Sequence, residues 1–366
     1  MEELTLGIEE EYQIIDPETR ELTSFVQQFL KEGRIFFKDD DVKPELLQSQ
    51  IEVGSRVCKD IKELRQEVIR LRSMVAEVAD KNNRKIIAAG THPLSHWSDQ
   101  IVTDQSRYIQ TLSDLKHLAR RLLIFGMHLH VGIPDNNLRI DILNQIRYFL
   151  PHILALSTSS PFWIGRNTGL KSYRSVIFED LPRTGIPEYF ESYGAYEHHV
   201  NILVKTGSIE NATKIWWDVR PHPKFPTIEI RICDCVTRID DVVAIAALIQ
   251  AIVHMLIKLR KNNVSWRNYR RGLLAENKWR AVRDGIEGRL IDFGKEAEVP
   301  IPDLMVELLE MVGDAAKELG TQEELAHIHN ILREGTSADK QVAIYRKTNS
   351  IESVVDFLAE ETVKMT

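Results

Sequence analysis

Carboxylates, imidazoles and guanidinium groups recur in this sequence at a two-residue spacing, which puts side chains on one face of a strand. In GIEEEYQ (residues 7–13), Glu9, Glu11 and Gln13 project from one face, and Ile8, Glu10 and Tyr12 from the other. Two carboxylates so placed stand about 7 Å apart, a separation that serves two neighbouring metal ions. An edge strand with solvated glutamates accounts for the same letters. In GMHLHVGI (126–133), His128 and His130 share a face, with Met127, Leu129 and Val131 opposite. Paired imidazoles can bind a metal or a phosphate, or simply pack. In PTIEIRICD (226–234), Glu229, Arg231 and Cys233 alternate with Ile228, Ile230 and Ile232. Glu229 and Arg231 form either a same-face salt bridge or a metal ligand beside a clamp for phosphate or carboxylate. For Cys233 the default is a packed, unreactive thiol.

Two further segments add to these. ELLQSQIEV (45–53) brings Glu45 and Glu52. A basic loop, WIGRNTGLKSYR (163–174) followed by LPRTG (181–185), sets Arg166, Lys171, Arg174 and Arg183 among glycines. Such a loop can receive an anion, or it can be solvated surface. Taken together, carboxylates from three segments, a histidine pair and several arginines suit an oxygen-rich Mg2+ site that meets a polyphosphate. Few cysteines and no CxxC argue against structural zinc. A zinc hydrolase built on HxH is the weaker alternative, because the arginines favour phosphoryl chemistry. No GxxxxGK[ST] or GxGxxG motif is present, so bound ATP would need another device.

The elements that must position these residues follow from the hydrophobic pattern. Strands are predicted at 4–15, 47–53, 85–89, 126–133, 199–204 and 227–235. Helices are predicted at 61–79, 140–157, 242–261, 277–285, 302–319 and 351–361. Strands and helices do not alternate regularly, which favours an α+β domain on an antiparallel sheet over a doubly wound parallel one. The apolar run 242–259 is interrupted by Gln250, His254 and Lys258, and reads as a buried helix rather than a membrane span.

A chain of 366 residues, 43% hydrophobic and 28% charged, is that of a soluble globular protein with a large core. Its net charge of -7 argues against a dedicated nucleic-acid binder. Three cysteines and an N-terminus without a basic start or apolar run predict a reducing, cytoplasmic setting with no membrane partner.

The order of motifs resembles a known family. GIEEEY, GTHP (90–93), GMHLHVG, SSPFWIGRNTGLKSYR (159–174), WWDVRPHPKFPTIEIRICD (216–234), ENKWRAVRDG (276–285) and GTSADKQ (335–341) are similar to the carboxylate–amine ligases of the glutamate–cysteine ligase type 2 family. The match runs from the first strand to the last helices. That family is similar to glutamine synthetase and the larger glutamate–cysteine ligases. The resemblance therefore implies one catalytic domain over 1–366, with an antiparallel sheet of about six strands curved into a funnel and helices on its outer face. It implies that Glu9, Glu45 and Glu52 hold one Mg2+, and that Glu11, His128 and Glu229 hold a second, bridging ATP phosphates; Mn2+ can stand in. Arg231 would meet the transferring phosphoryl group or the substrate carboxylate, Arg174 the substrate, and Arg166 the nucleotide. The implied reaction phosphorylates a carboxylic acid with ATP, and an amine then displaces phosphate, without a serine or cysteine nucleophile. The implied partners are a small acid and a small amine, glutamate and cysteine by family default, in a homodimer. A guanidino phosphotransferase on the same sheet, or a silent ATP- and metal-binding relative, are the alternatives.

Overall fold

A computed structural model describes residues 4–33 and 42–364. Seven strands form one sheet: β1 (Leu6–Ile15), β2 (Val42–Pro44), β3 (Gln50–Gly54), β4 (Lys85–Ile87), β5 (Gly126–Gly132), β6 (Val219–Pro221) and β7 (Thr227–Asp234). Their order is β6-β7-β5-β1-β3-β2, with β4 pairing the far end of β1. Every pairing in this sheet is antiparallel. The α+β architecture on an antiparallel sheet is as expected, with seven strands rather than about six.

The two faces of the sheet follow from the alternation. Leu6, Ile8, Met127, Leu129, Val131, Ile228 and Ile230 join one hydrophobic core, while Tyr12, Ile14, Ile51 and Val53 join a second. Each such aliphatic side chain withdrawn from water is worth roughly 1.5–3 kcal/mol. Helices cover this face. Ile61–Lys81 is capped by Asp60, whose side chain accepts from Glu63 N, and buries Leu64, Val68, Leu71, Val75 and Val78 at helical spacing. Ile239–Lys261 is long and apolar enough to cross a membrane, yet it lies buried within the fold.

Glu10 falls on the covered face and is 1% exposed. Arg72 of the first of these helices meets it at 2.5 Å and also donates to the carbonyl of Val236 at 2.7 Å. The Tyr12 hydroxyl donates to Glu10 at 2.6 Å. The middle glutamate of the IEEEY run thus ties helix to sheet.

Several expectations change. Residues 199–204 lie in the helix Tyr193–Lys205, which Ser192 caps by accepting from Ala195 N. The alternation there belongs to a helix that buries only Tyr196. The helix predicted at 140–157 is two, Asn136–Ile146 and Leu150–Ser157, the second beginning at a proline in its first turn. The one predicted at 302–319 divides into Ile301–Met311 and Gly313–Leu319. Strands β2 and β6, three residues each, are too short to show a period.

Candidate active site

The uncovered face of the sheet collects the polar side chains in rows. Lys43, Glu52 and Glu11 stand abreast on β2, β3 and β1. Glu9 is opposite His128 on β5, and His130, Glu229 and Arg220 stand abreast on β5, β7 and β6. Side chains opposite one another in a ladder lie close enough to interact directly.

Ligand atoms of Glu9, His128 and Glu229 all lie within 4.8 Å of one another. The His128 Nδ1 is 3.3 Å from the Glu9 carboxylate. Burial, with Arg231 nearby, pushes the His128 imidazole down to about 4, so it is neutral at pH 7 and keeps a lone pair for a cation. Burial acts to raise the Glu9 carboxyl, but hydrogen bonds from His128 and His130 outweigh it and hold Glu9 well below the usual range. Glu229 is 1% exposed. Arg220 grips it through two nitrogens at 2.7 and 3.2 Å, and Arg231 pairs with it as well. Burial works to raise Glu229, and these two guanidinium groups override it, so it stays ionised.

Beside this group stand three further carboxylates, Glu11, Glu45 and Glu52, which repel one another without their ligand atoms converging as closely as the first three. Glu45, in the connection between β2 and β3, stands beside Glu52 and accepts from Leu46 N at 3.1 Å. Burial first, then repulsion from Glu45, Glu9 and Glu11, raises Glu52 well above its ordinary value. Burial and Glu45 push Glu11 up to about 7. Its carboxylate accepts from Gly126 N at 2.5 Å. Carboxylates that repel one another out of water are stabilised by a divalent cation, and an oxygen-rich set with one imidazole suits Mg2+ or Mn2+. The residues present therefore fit the expected ions. The grouping differs from the one carried over from the family, since Glu9 rather than Glu11 stands with His128 and Glu229. That follows from register: Glu9 faces His128 and Glu11 faces Glu52.

Between Ile230 and Cys233 the pairing of β7 with β5 shifts. Three steps on β7 match two on β5, so one residue is inserted as a bulge at Arg231–Ile232. On its other side β7 keeps its register with β6, where Arg231 N donates to Asp218 O at 2.8 Å, one step beyond the Val219–Ile230 pair. Beyond the bulge the faces exchange: Cys233 pairs with Met127 in the core, and Asp234 pairs with Gly126 on the polar side. Alternation alone puts Cys233 beside Glu229 and Arg231; the bulge turns it away. Burial pushes its thiol up to about 12.

Glu9, Glu11, Glu45, Glu52, His128, Arg174 and Arg231 line one cavity of about 460 Å³. It shares Thr111, Leu115, Glu210, Lys214 and Trp216 with a second cavity of about 520 Å³ that reaches Arg183. These are dimensions that hold a small-molecule substrate or a nucleotide. The Nε atoms of Arg174 and Arg231 are buried without a hydrogen-bond partner among the described residues. Such donors are costly unless a ligand accepts from them. Arg166 is elsewhere: it is exposed, in the two-residue strand that pairs it with Trp163. Lys171 is engaged by Glu287 and Asp339. The basic segment therefore delivers Arg174 to the first cavity and Arg183 to the second, while Arg166 and Lys171 lie outside both.

Sequence reasoning missed Arg220, Lys43, Arg107, Lys214, His222 and Asp234. The first five line the cavity. Arg220 carried a signal, in that VRP precedes TIEIR by a hairpin-length loop and could be read as a partner strand. Arg107 comes from the helix Ser106–Leu115, whose polar face is indistinguishable from a solvated one.

Comparison with known proteins adds to this geometry. The family described as glutamate–cysteine ligase family 2 matches residues 5–357. A protein of Sorangium cellulosum is 53% identical over 361 residues, covering 98% of this chain and 96% of its own. One of Herpetosiphon aurantiacus is 51% identical over 360 residues, covering 98% and 93%. Both are named "Putative glutamate–cysteine ligase 2". Among solved structures, a glutamate–cysteine ligase from Francisella tularensis in complex with AMP superposes with a TM-score of 0.68 at 13% identity, covering 99% of this chain and 89% of that one. A bifunctional glutathione synthetase from Pasteurella multocida gives 0.73 at 14%, covering 98% of this chain and 52% of that one. At such identities the likeness is one of fold.

Proposed function

The chain belongs to the glutamate–cysteine ligase family 2, and on that premise we propose that it is an ATP- and Mg2+-dependent carboxylate–amine ligase that forms an amide through an acyl phosphate. The observation that carries the reading is the convergence of Glu9, His128 and Glu229 beside the three carboxylates Glu11, Glu45 and Glu52, with two guanidinium groups turned to the same cavity.

Each part has a task. When bound, Mg2+ offsets the charge of the ATP phosphates and aligns them. Glu9, His128 and Glu229 are the residues to hold one ion, and Glu11, Glu45 and Glu52 another. Arg220 keeps Glu229 ionised and fixed, since its Nη1 is itself anchored on the carbonyls of Ile215 and Thr213. Arg231 and Arg174 supply free N–H groups to the transferring phosphoryl group and the acid, which is where charge accumulates. The acid's carboxylate oxygen takes the γ-phosphoryl group, releasing ADP; the amine nitrogen then bonds to that carbonyl carbon, and inorganic phosphate leaves with the oxygen. The thiols take no part. Glutamate and cysteine are the first acid and amine to try, because the relatives are named for them.

Hydroxylamine, a small strong nucleophile, tests this reading. Protein, ATP, Mg2+ and hydroxylamine incubated with glutamate, then with other acids, should yield hydroxamate and ADP in equal amounts and no AMP. ATP consumption with an acid and hydroxylamine present but without hydroxamate would overturn the ligase reading. ATP use only with a guanidine acceptor would favour the phosphotransferase.

A further inference from the structure

Asp234, which the bulge in β7 turns to the polar side, is fully buried and lines neither cavity. It is nevertheless surrounded by donors. Its carboxylate accepts from Ser159 N at 2.9 Å, the Ser160 hydroxyl at 2.7 Å and the Ser172 hydroxyl at 2.8 Å. A buried carboxylate carries a large desolvation cost, and these hydrogen bonds offset part of it.

The serines lead to Arg174. The Ser160 hydroxyl oxygen accepts from Arg174 N at 3.1 Å, and Ser172 stands two residues before it. On the strand opposite Asp234 is Gly126, where an added Cβ would lie 2.3 Å from Arg174 Nη2. The guanidinium thus occupies the gap that a missing side chain leaves. The scaffold continues outward from the serines. Gly90 of GTHP donates to the Ser159 hydroxyl at 2.8 Å, and a Cβ at Gly90 would meet Asp234 Cγ at 2.7 Å. Gln341 of GTSADKQ donates to Ser159 O at 2.8 Å. Two motifs that line neither cavity therefore converge on Ser159, whose N–H donates to this carboxylate.

We propose that Asp234 is a positioning residue: through Ser159, Ser160 and Ser172 it fixes Arg174 over Gly126, leaving the Arg174 Nε to an anionic substrate. The functional half of this inference rests on the ligase reading, whereas the positional half does not. A group held within a fraction of an ångström of its productive place matters, since small misplacements cost about 100-fold in rate.

The test measures Arg174 itself. Phenylglyoxal, which modifies accessible guanidinium groups, is reacted with the full chain, and the rate at each arginine is followed by peptide mass spectrometry. In Asp234→Asn, whose amide presents a donor to donors, modification of Arg174 should quicken by about tenfold while Arg72 and Arg147, both buried away from the cavity, keep their wild-type rates. Ser160→Ala cuts the link and spares the carboxylate, and gives the same readout should Asp234→Asn fail to fold. An unchanged rate at Arg174 in the folded variant, or an equal rise at all three arginines, overturns the proposal. In the hydroxamate assay, Asp234→Asn should lower turnover about 10- to 100-fold, and adding it to Arg174→Ala should cost nothing more; additive losses would likewise overturn it. A wild-type protein inactive with every acid would sink the ligase reading and leave the modification rates to decide the role of Asp234.

Discussion

Glu11, which lines the cavity, and Glu229, buried on the same polar face of the sheet, are under opposite constraints, and their removal should have opposite effects on stability. Glu229 is held ionised between Arg220 and Arg231. Glu229→Gln leaves two buried cations under-compensated and should cost about 3 kcal/mol in urea unfolding. Glu11 crowds Glu45 and is raised to about 7. Glu11→Gln relieves that repulsion and should stabilise the metal-free protein by about 1 kcal/mol at pH 8. Both should lower ATP-dependent turnover by about 100-fold or more, since each is a proposed ion ligand. Equal stability changes would contradict this account of the site's charge. The pH dependence follows with its sign. A carboxyl whose folded value is raised stabilises the fold below its unfolded value near 4.5, and that contribution is lost as pH rises through about 7. Mg2+ replaces the proton, so it should raise the melting temperature more at pH 8 than at pH 5.5. Melting curves at the two pH values check it; a larger shift at the lower pH would be inconsistent with binding by these glutamates.

The strands and helices decide which of these residues meet. Alternation in IEEEY, MHLHV and TIEIR was strong enough to reveal three long strands and the faces they present, because each packs one face on a core and leaves the other polar. What alternation could not reveal is register, and register is what pairs Glu9 with His128 and Glu11 with Glu52. Nor could it reveal the bulge after Ile230, which moves Cys233 into the core and brings Asp234 across. Strands β2 and β6 carry Lys43 and Arg220 on three residues each, too few to show any period. At this scale the Arg72–Glu10 pair joins the long helix to β1. Arg72→Leu should cost about 3–5 kcal/mol in denaturant unfolding, because it leaves Glu10 buried without its cation. A loss below 1 kcal/mol would mean that the pair does not anchor the sheet.

At the scale of the whole molecule, the sequence motifs separate into two layers. GIEEEY, GMHLHVG and TIEIR form the cavity wall, while GTHP, GTSADKQ and ENKWRAVRDG lie behind it. Lys278 of the last is buried against Asp218, whose carbonyl receives Arg231 N. Resemblance made all of them legible as family features, but only the fold assigns the second group to support. The substrates are the least legible part, because cavity walls contributed by separate helices and loops carry no spacing that names an acid or an amine. The central claim is that the acid is activated as an acyl phosphate at this site, and one oxygen atom reports on it. Acid labelled with ¹⁸O in its carboxylate is turned over with ATP, Mg2+ and the amine, and the phosphate released is analysed by mass. The account predicts one ¹⁸O transferred to each inorganic phosphate formed, alongside ADP and amide. Unlabelled phosphate, or label recovered in AMP, would contradict it.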